Sequence, residues 1–210
     1  MRAVALSSFA KPVIAVVFCL LGSSAYAQTT AFYPDGNQPP GSPSNIQLSV
    51  PVTASVAEQC GFAPNGAPDD TYNAGDIRNG WTHDTAFTLE CNGPLNMAVT
   101  SLNGGLLASG TPASGYANLE VYSVTLHIAG DSGSAEATCT TDLLLHTLGS
   151  SSCGFYGTAS TSVGLNLNGS SEDQSGSYIR ISNGTGYTGS QTLIASNTYT
   201  DTLTVTLSPQ

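Results

Sequence analysis

Residues Ile46 to Val56 alternate between apolar and polar side chains. Ile46, Leu48, Val50, Val52, Ala54 and Val56 fall on one face, and Gln47, Ser49, Thr53 and Ser55 on the other. A period of two predicts a β-strand. At about 3.3 Å per residue this run would span roughly 36 Å, against about 17–20 Å for an ordinary strand. It is therefore long for one crossing of a small sandwich. Pro51 cannot donate a ladder hydrogen bond, so it marks an edge, a bend or a change of partner.

Shorter strand patterns follow: Ala86 to Leu89, Leu95 to Ser101, Val121 to Ile128, Val163 to Leu167 and Tyr178 to Ser182. The last, Tyr199 to Leu207, alternates strictly, with Tyr199, Leu203, Val205 and Leu207 on one face and Asp201 among them near the strand start. Asn-Gly pairs begin at Asn65, Asn79, Asn92, Asn103, Asn168 and Asn183. Both residues tolerate positive φ, which makes such pairs strong turn signals. Many short strands between turns, with few helix formers, predict an all-β sandwich. One segment, Glu136 to His146, is also compatible with a helix. Ser150 to Ser152 and Asn168 to Gly176 read as local polar loops, and no repeat period is evident.

The N-terminus changes how much of the chain this reading covers. Arg2 and Lys11 flank a basic start, Pro12 to Gly22 is an apolar run too short for a membrane span, and Ala25-Tyr26-Ala27 matches a cleavage signal. Residues 1–27 are expected to be a signal peptide and the mature chain to begin at Gln28. No later apolar stretch is long enough to span a bilayer. Residues 28–45, with four prolines, read as an extended arm, and residues 46–210 as the folded domain.

Cleavage leaves Arg78 and Arg180 as the basic residues against fourteen acidic ones, a formal charge of −12. Such a surface repels phosphate and anionic headgroups, which excludes nucleic acid as a partner. Charged residues are 9% of the chain and hydrophobic residues 40%, enough for a core and too few helix-type charges for a coiled coil. Cys60, Cys91, Cys139 and Cys153 remain after cleavage, an even number that suggests two disulfides in an exported protein. Three pairings exist. Cys60–Cys91 and Cys139–Cys153 are favoured because each pair brackets one local loop.

Candidate chemistry is sparse. The chain has no G-x-S-x-G elbow, no H-E-x-x-H and no P-loop, and no dinucleotide-binding G-x-G-x-x-G is expected. His127 and His146 read as structural or surface residues. His83-Asp84 beside Trp81 could orient an imidazole, but no nucleophile accompanies it. Asp69, Asp70 and Asp76 form an acidic loop whose spacing does not fit an EF-hand. Glu172-Asp173 are adjacent and would point to opposite faces of a strand, which does not suit a glycosidase pair. A sugar platform through Trp81 and Tyr72 lacks further aromatic residues. The N-x-S/T matches at Asn168 and Asn183 read as turns. No enzyme activity, cofactor or metal is expected.

The ending Asn197-Thr198-Tyr199-Thr200-Asp201-Thr202-Leu203-Thr204-Val205-Thr206-Leu207 resembles the terminal G-x-Y-x-D-T-x-x-V-T-x strand of the spore coat protein U-like family, with Asn197 at the glycine position. That family includes subunits of archaic chaperone–usher pili. An alternating strand running into Cys60, a second strand ending at Cys91 and the Asn103-Gly104-Gly105-Leu106 sequence follow the same order. The resemblance covers about residues 46–208.

It implies an immunoglobulin-like, pilin-type sandwich lacking its last strand. A periplasmic chaperone fills the gap first, and a neighbouring subunit's N-terminal strand replaces it at an outer-membrane usher. β-strand addition of this kind draws affinity from main-chain hydrogen bonds and register from alternating pockets. On this basis Ile46, Leu48 and Val50 are the expected donor residues. Val52, Ala54 and Val56 would begin the subunit's own first strand, and Tyr199, Leu203, Val205 and Leu207 would line the acceptor edge. The expected location is the periplasm and then the cell surface, as part of a fimbrium. The alternative is a self-complete secreted binding module, with carbohydrate as its candidate ligand. A secreted hydrolase ranks third.

Overall fold

The computed structural model describes residues 50–210. The expected leader (residues 1–27), the arm (28–45), Ile46 and Leu48 lie outside the described residues. Val56–Gln210 form one compact unit.

Fifteen strands make up this unit. The first four are β1 (Cys60–Phe62), β2 (Trp81–Phe87), β3 (Leu89–Cys91) and β4 (Leu95–Ser101). Next come β5 (Leu106–Ala108), β6 (Tyr116–Ala117), β7 (Leu119–Glu120), β8 (Ser123–Gly130) and β9 (Gly133–Thr140). After a 3-10 turn at Thr141–Leu144 the chain continues through β10 (Leu165–Leu167), β11 (Ser171–Glu172) and β12 (Ser177–Asn183). It ends with β13 (Thr192–Leu193), β14 (Tyr199–Thr200) and β15 (Leu203–Pro209).

Two antiparallel sheets carry the fold, one ordered β2-β12-β8-β9 and the other β10-β4-β15. The arrangement is all-β and sandwich-like. Alternation explains the core. On β8 the inward Val124, Leu126 and Ile128 are wholly buried, whereas Thr125 and His127 lie between them on the outer face. Phe87 and Ile179 join them from the same sheet, facing Leu95, Met97, Val99 and Leu167 of the other. Leu144 and Phe155 fill the end of the core from the connections. Each such side chain contributes about 1.5–3 kcal/mol of burial.

The outer face of the four-stranded sheet is a polar ladder. Arg180 lies directly opposite Asp84 and donates to both carboxylate oxygens at 2.6 Å. Its guanidinium sits 4.8 Å from the Tyr178 ring centroid, and Tyr178 stacks on His127. Glu136 accepts from the Tyr178 hydroxyl at 3.0 Å and lies 3.0 Å from His127 Nδ1.

Both favoured disulfides are present. Cys60 faces Cys91 across β1 and β3 in register, and Cys139 at the end of β9 is bonded to Cys153. The Asn-Gly pairs fall at turns and bends or, at Asn183, close a strand. Asn65 adopts the left-handed region, with φ of 62°.

Several expectations are corrected. Residues 50–59 belong to no strand, so Val52, Ala54 and Val56 do not begin the domain's first strand, which starts at Cys60. Alternation supplies a face, but a strand also needs a neighbouring edge. Glu136 to His146 is not helical. It completes β9, because pairing with β8 along its length overrides weak local preference, and then forms the 3-10 turn. The Asn168 to Gly176 stretch is more than a loop, since β11 within it pairs with β3. A G-x-G-x-x-G spacing does occur, at Gly184-Thr185-Gly186-Tyr187-Thr188-Gly189. It follows β12 but opens no helix, so it lacks the context that binds dinucleotides. Gly186 serves close packing instead: φ is +70°, and a Cβ there would lie 2.2 Å from the Arg78 carbonyl oxygen.

Candidate functional site: an open seam between the sheets

The two sheets close against each other on one side only. There β9 and β10 approach, and the core residues beneath them are fully buried. On the other side stand β2 and β15, each paired with a single strand among the described residues, with β1 lying close to β15. Between them runs a groove of about 1240 Å³. Its apolar floor and far wall are Ile179, Ile181, Leu106, Tyr122, Leu203 and Val205. Drug-sized ligand sites run to about 300–1,000 Å³, so this groove is large enough for a peptide segment.

Burial along the seam differs sharply from burial one strand further in. Met97 and Val99 on β4 are wholly buried, yet their cross-strand partners Leu207 and Val205 on β15 are only half-buried. Ile181 and Leu106 are also half-buried. Among the described residues, no strand covers these inward-facing apolar residues as the facing sheet covers the rest of the core.

The long terminal strand is broken in two. Tyr199 and Thr200 pair with β5, whereas Leu203 onward pairs with β4. Asp201 causes the break. Its Oδ1 accepts from the backbone N–H of Asn103 at 3.0 Å and of Thr202 at 2.8 Å. Its Oδ2 accepts from Ser101 Oγ at 2.7 Å and from the Tyr122 hydroxyl at 2.9 Å. One carboxylate thus ties the β14–β15 junction to the end of β4 and to the groove floor. Burial and the neighbouring Asp201 charge push the Tyr122 hydroxyl pKa far up, so Tyr122 stays a donor.

The β2 wall is polar. Trp81, His83, Thr85 and Phe87 are its inward positions, and the middle two face the groove mouth. His83 Nε2 lies 2.6 Å from Asp70 Oδ2, and Thr85 Oγ1 donates to the same oxygen at 3.3 Å. Hydrogen bonding to His83 is the main reason the Asp70 carboxyl titrates below its usual range. Tyr72 stacks on the His83 ring with centroids 4.2 Å apart and lies 6.2 Å from Trp81. Nearby, Arg78 forms a 2.5 Å ion pair with Asp76 and holds that carboxyl down to about 2. The pairing suggested by His83-Asp84 is therefore replaced. Neighbours in a strand point to opposite faces, so Asp84 bonds Arg180 outside and His83 meets Asp70 from a loop.

A buried carboxylate adjoins the groove floor. Glu120 pairs with Leu106 in the β5–β7 ladder, is 2% exposed and accepts from Asn183 Nδ2. Burial pushes its pKa up to about 7 against the opposing pull of that hydrogen bond. The folded chain therefore holds a proton between about pH 4.5 and 7 that the unfolded chain releases, and this contribution to stability is lost as pH rises through that window. Replacing Glu120 with glutamine should remove this slope. Urea unfolding at pH 5 and pH 8 should show the variant gaining about 3 kcal/mol on the parent between the two. Equal pH dependence in both proteins would overturn the assignment.

The expected acceptor residues divide. Leu203 and Val205 line the groove. Tyr199 lies in its lining from β14, with its hydroxyl donating to the Ile194 carbonyl at 2.8 Å. Leu207 is on β15 beyond the groove and packs on the core. Of the expected donor residues, Val50 is 58% exposed, and Val52 and Val56 beyond it are 85% and 87% exposed. Trp81 is 8% exposed, so its face is closed to a sugar ring. Asp201, Tyr122, Ser101 and Glu120 were given no role by sequence reasoning. The one signal for Asp201 was an acid on the apolar face of a strand.

Among the described residues no cluster of three or more His, Cys, Asp or Glu groups could hold a metal ion, and no helix is long and apolar enough to cross a membrane. Comparison with family models, with curated proteins and with solved structures finds no match.

Proposed function

We propose that the protein is a structural subunit of a secreted surface fibre, a pilin-type sandwich completed by a strand from a neighbouring copy. The observation that carries this reading is the half-buried apolar lining of the groove beside β15, whose outer edge pairs with no strand among the described residues. The occupant is the alternating run Ile46 to Val56 of the next subunit. Its described part, Val50 to Val56, is exposed and, among the described residues, pairs with no strand. Seven residues of β15 offer an edge of about 23 Å, which fits about two thirds of the long run and so has room for the expected donor residues Ile46, Leu48 and Val50. The resemblance of the terminal strand to spore coat protein U-like subunits supports the same assignment. A periplasmic chaperone would cover the groove before an usher delivers the donor, and two disulfides suit such an exported route.

Deleting residues 28–50 tests the reading. The shortened subunit should remain folded and bound to its chaperone and should form no fibres, as read by electron microscopy and by co-purification. Fibres from the deletion variant would refute the donor assignment. A self-complete module would instead be a soluble, heat-resistant monomer in isolation.

A further inference from the structure

The polar side of the groove holds a segment that the strand-addition reading does not use. Pro68 to Asp76 runs beside β2, and its attachments are made by side chains. Asp70 bonds His83 and Thr85, and Tyr72 stacks on His83. The backbone groups of this segment bond locally: Asp69 N–H to the Ala67 carbonyl, Thr71 N–H to Asp70 Oδ1 and Gly75 N–H to Asn73 Oδ1. Among the described residues none bonds the backbone of β2. Asp69 to Asn73 are all exposed, and the apolar hold on the segment is confined to its ends, where Ala74 packs on the core. An exposed pair such as Asp70–His83 adds little, because water competes for both partners.

Trp81 supplies the second observation. The indole is 8% exposed and lies in the groove lining, with Tyr72 on one side and Tyr122, 5.4 Å between centroids, on another. Its Nε1–H is the one buried side-chain polar atom without a hydrogen-bond partner among the described residues. A donor removed from water and left unbonded is costly, and an incoming acceptor would relieve that cost.

Building on the strand-addition reading, we propose that the Pro68–Asp76 segment is a displaceable strap over the β2 side of the groove. The entering strand moves it aside and brings a carbonyl oxygen to Trp81 Nε1. Side-chain latching makes the strap closed enough to shield the groove and weak enough to yield. The apparent affinity for the entering strand is then its intrinsic affinity scaled by the open fraction, so loosening the latch should tighten binding.

Trp81 is the only tryptophan of the chain and reports directly. The probe is a synthetic peptide of residues 44–57, which contains no tryptophan or tyrosine. Adding it to the purified full chain should shift the Trp81 emission. Asp70→Ala and His83→Ala should each speed association and lower the apparent Kd by about fivefold. Asp84→Ala, which removes the same charge from the outer face, should change neither. Trp81→Phe keeps a ring but loses the N–H; with a dye-labelled peptide it should bind about tenfold more weakly. Peptide binding that is unaffected or slowed by the latch variants would overturn the strap. Unchanged affinity in Trp81→Phe would overturn the indole contact. No binding by any of the proteins would overturn the strand-addition reading itself.

Discussion

A chain with Ile46, Leu48 and Val50 all changed to serine is expected to stay monomeric at concentrations where the parent assembles. Each of these side chains contributes about 1.5–3 kcal/mol when buried in a neighbour's groove, so the triple change removes about 5–9 kcal/mol from each junction. That is at least three orders of magnitude in Kd. Main-chain pairing to β15 would survive the change but would lack the side chains that set its register. The subunit's own fold should be untouched, because the first strand among the described residues begins at Cys60 and Val50 is 58% exposed. Sedimentation velocity would read the assembly, and circular dichroism the fold. Parent-like polymers from this variant would mean that another part of the chain fills the groove.

The second large effect concerns Asp201. Its removal as Asp201→Ala should cost about 3–5 kcal/mol of unfolding free energy, because bonds to a carboxylate contribute about 1.5–3 kcal/mol each and buried donors would be left unpaired. The orphaned groups are Ser101 Oγ and the Tyr122 hydroxyl, together with the N–H groups of Asn103 and Thr202. Asp201→Asn keeps one acceptor oxygen and should lose less. Urea titration of both variants measures the difference. A loss below about 1 kcal/mol for the alanine variant would show that the junction is held by the ladder pairing of β14 and β15 alone.

The parts of the fold legible in the sequence are those set by local repetition. Val124, Leu126 and Ile128 announce β8 by alternation, and the same holds for Leu203, Val205 and Leu207 on β15. The disulfides were legible because each joins cysteines adjacent in chain order, 31 and 14 residues apart. What escaped depends on partners far along the chain. Asp70 meets His83 thirteen residues away, and Asp201 meets Ser101 a hundred residues away. Neither spacing leaves a periodic trace. The break between Thr200 and Leu203 was hidden for the same reason: side-chain alternation continues through it while a carboxylate captures the backbone. Glu120 carries no signal in the sequence, and it is the approach of β5 and Asn183 that buries it. Val52, Ala54 and Val56 misled in the opposite direction, since they repeat like a strand but pair with no edge among the described residues.

The Cys60–Cys91 bond has a mechanical meaning. Strand β1 is three residues long, and its pairing with β3 would peel readily if the chain ahead of it were pulled. The covalent link sits at the first of those residues. Tension arriving from upstream is therefore handed to β3 before it can unzip the short ladder, and the sandwich behind the link is shielded from that load.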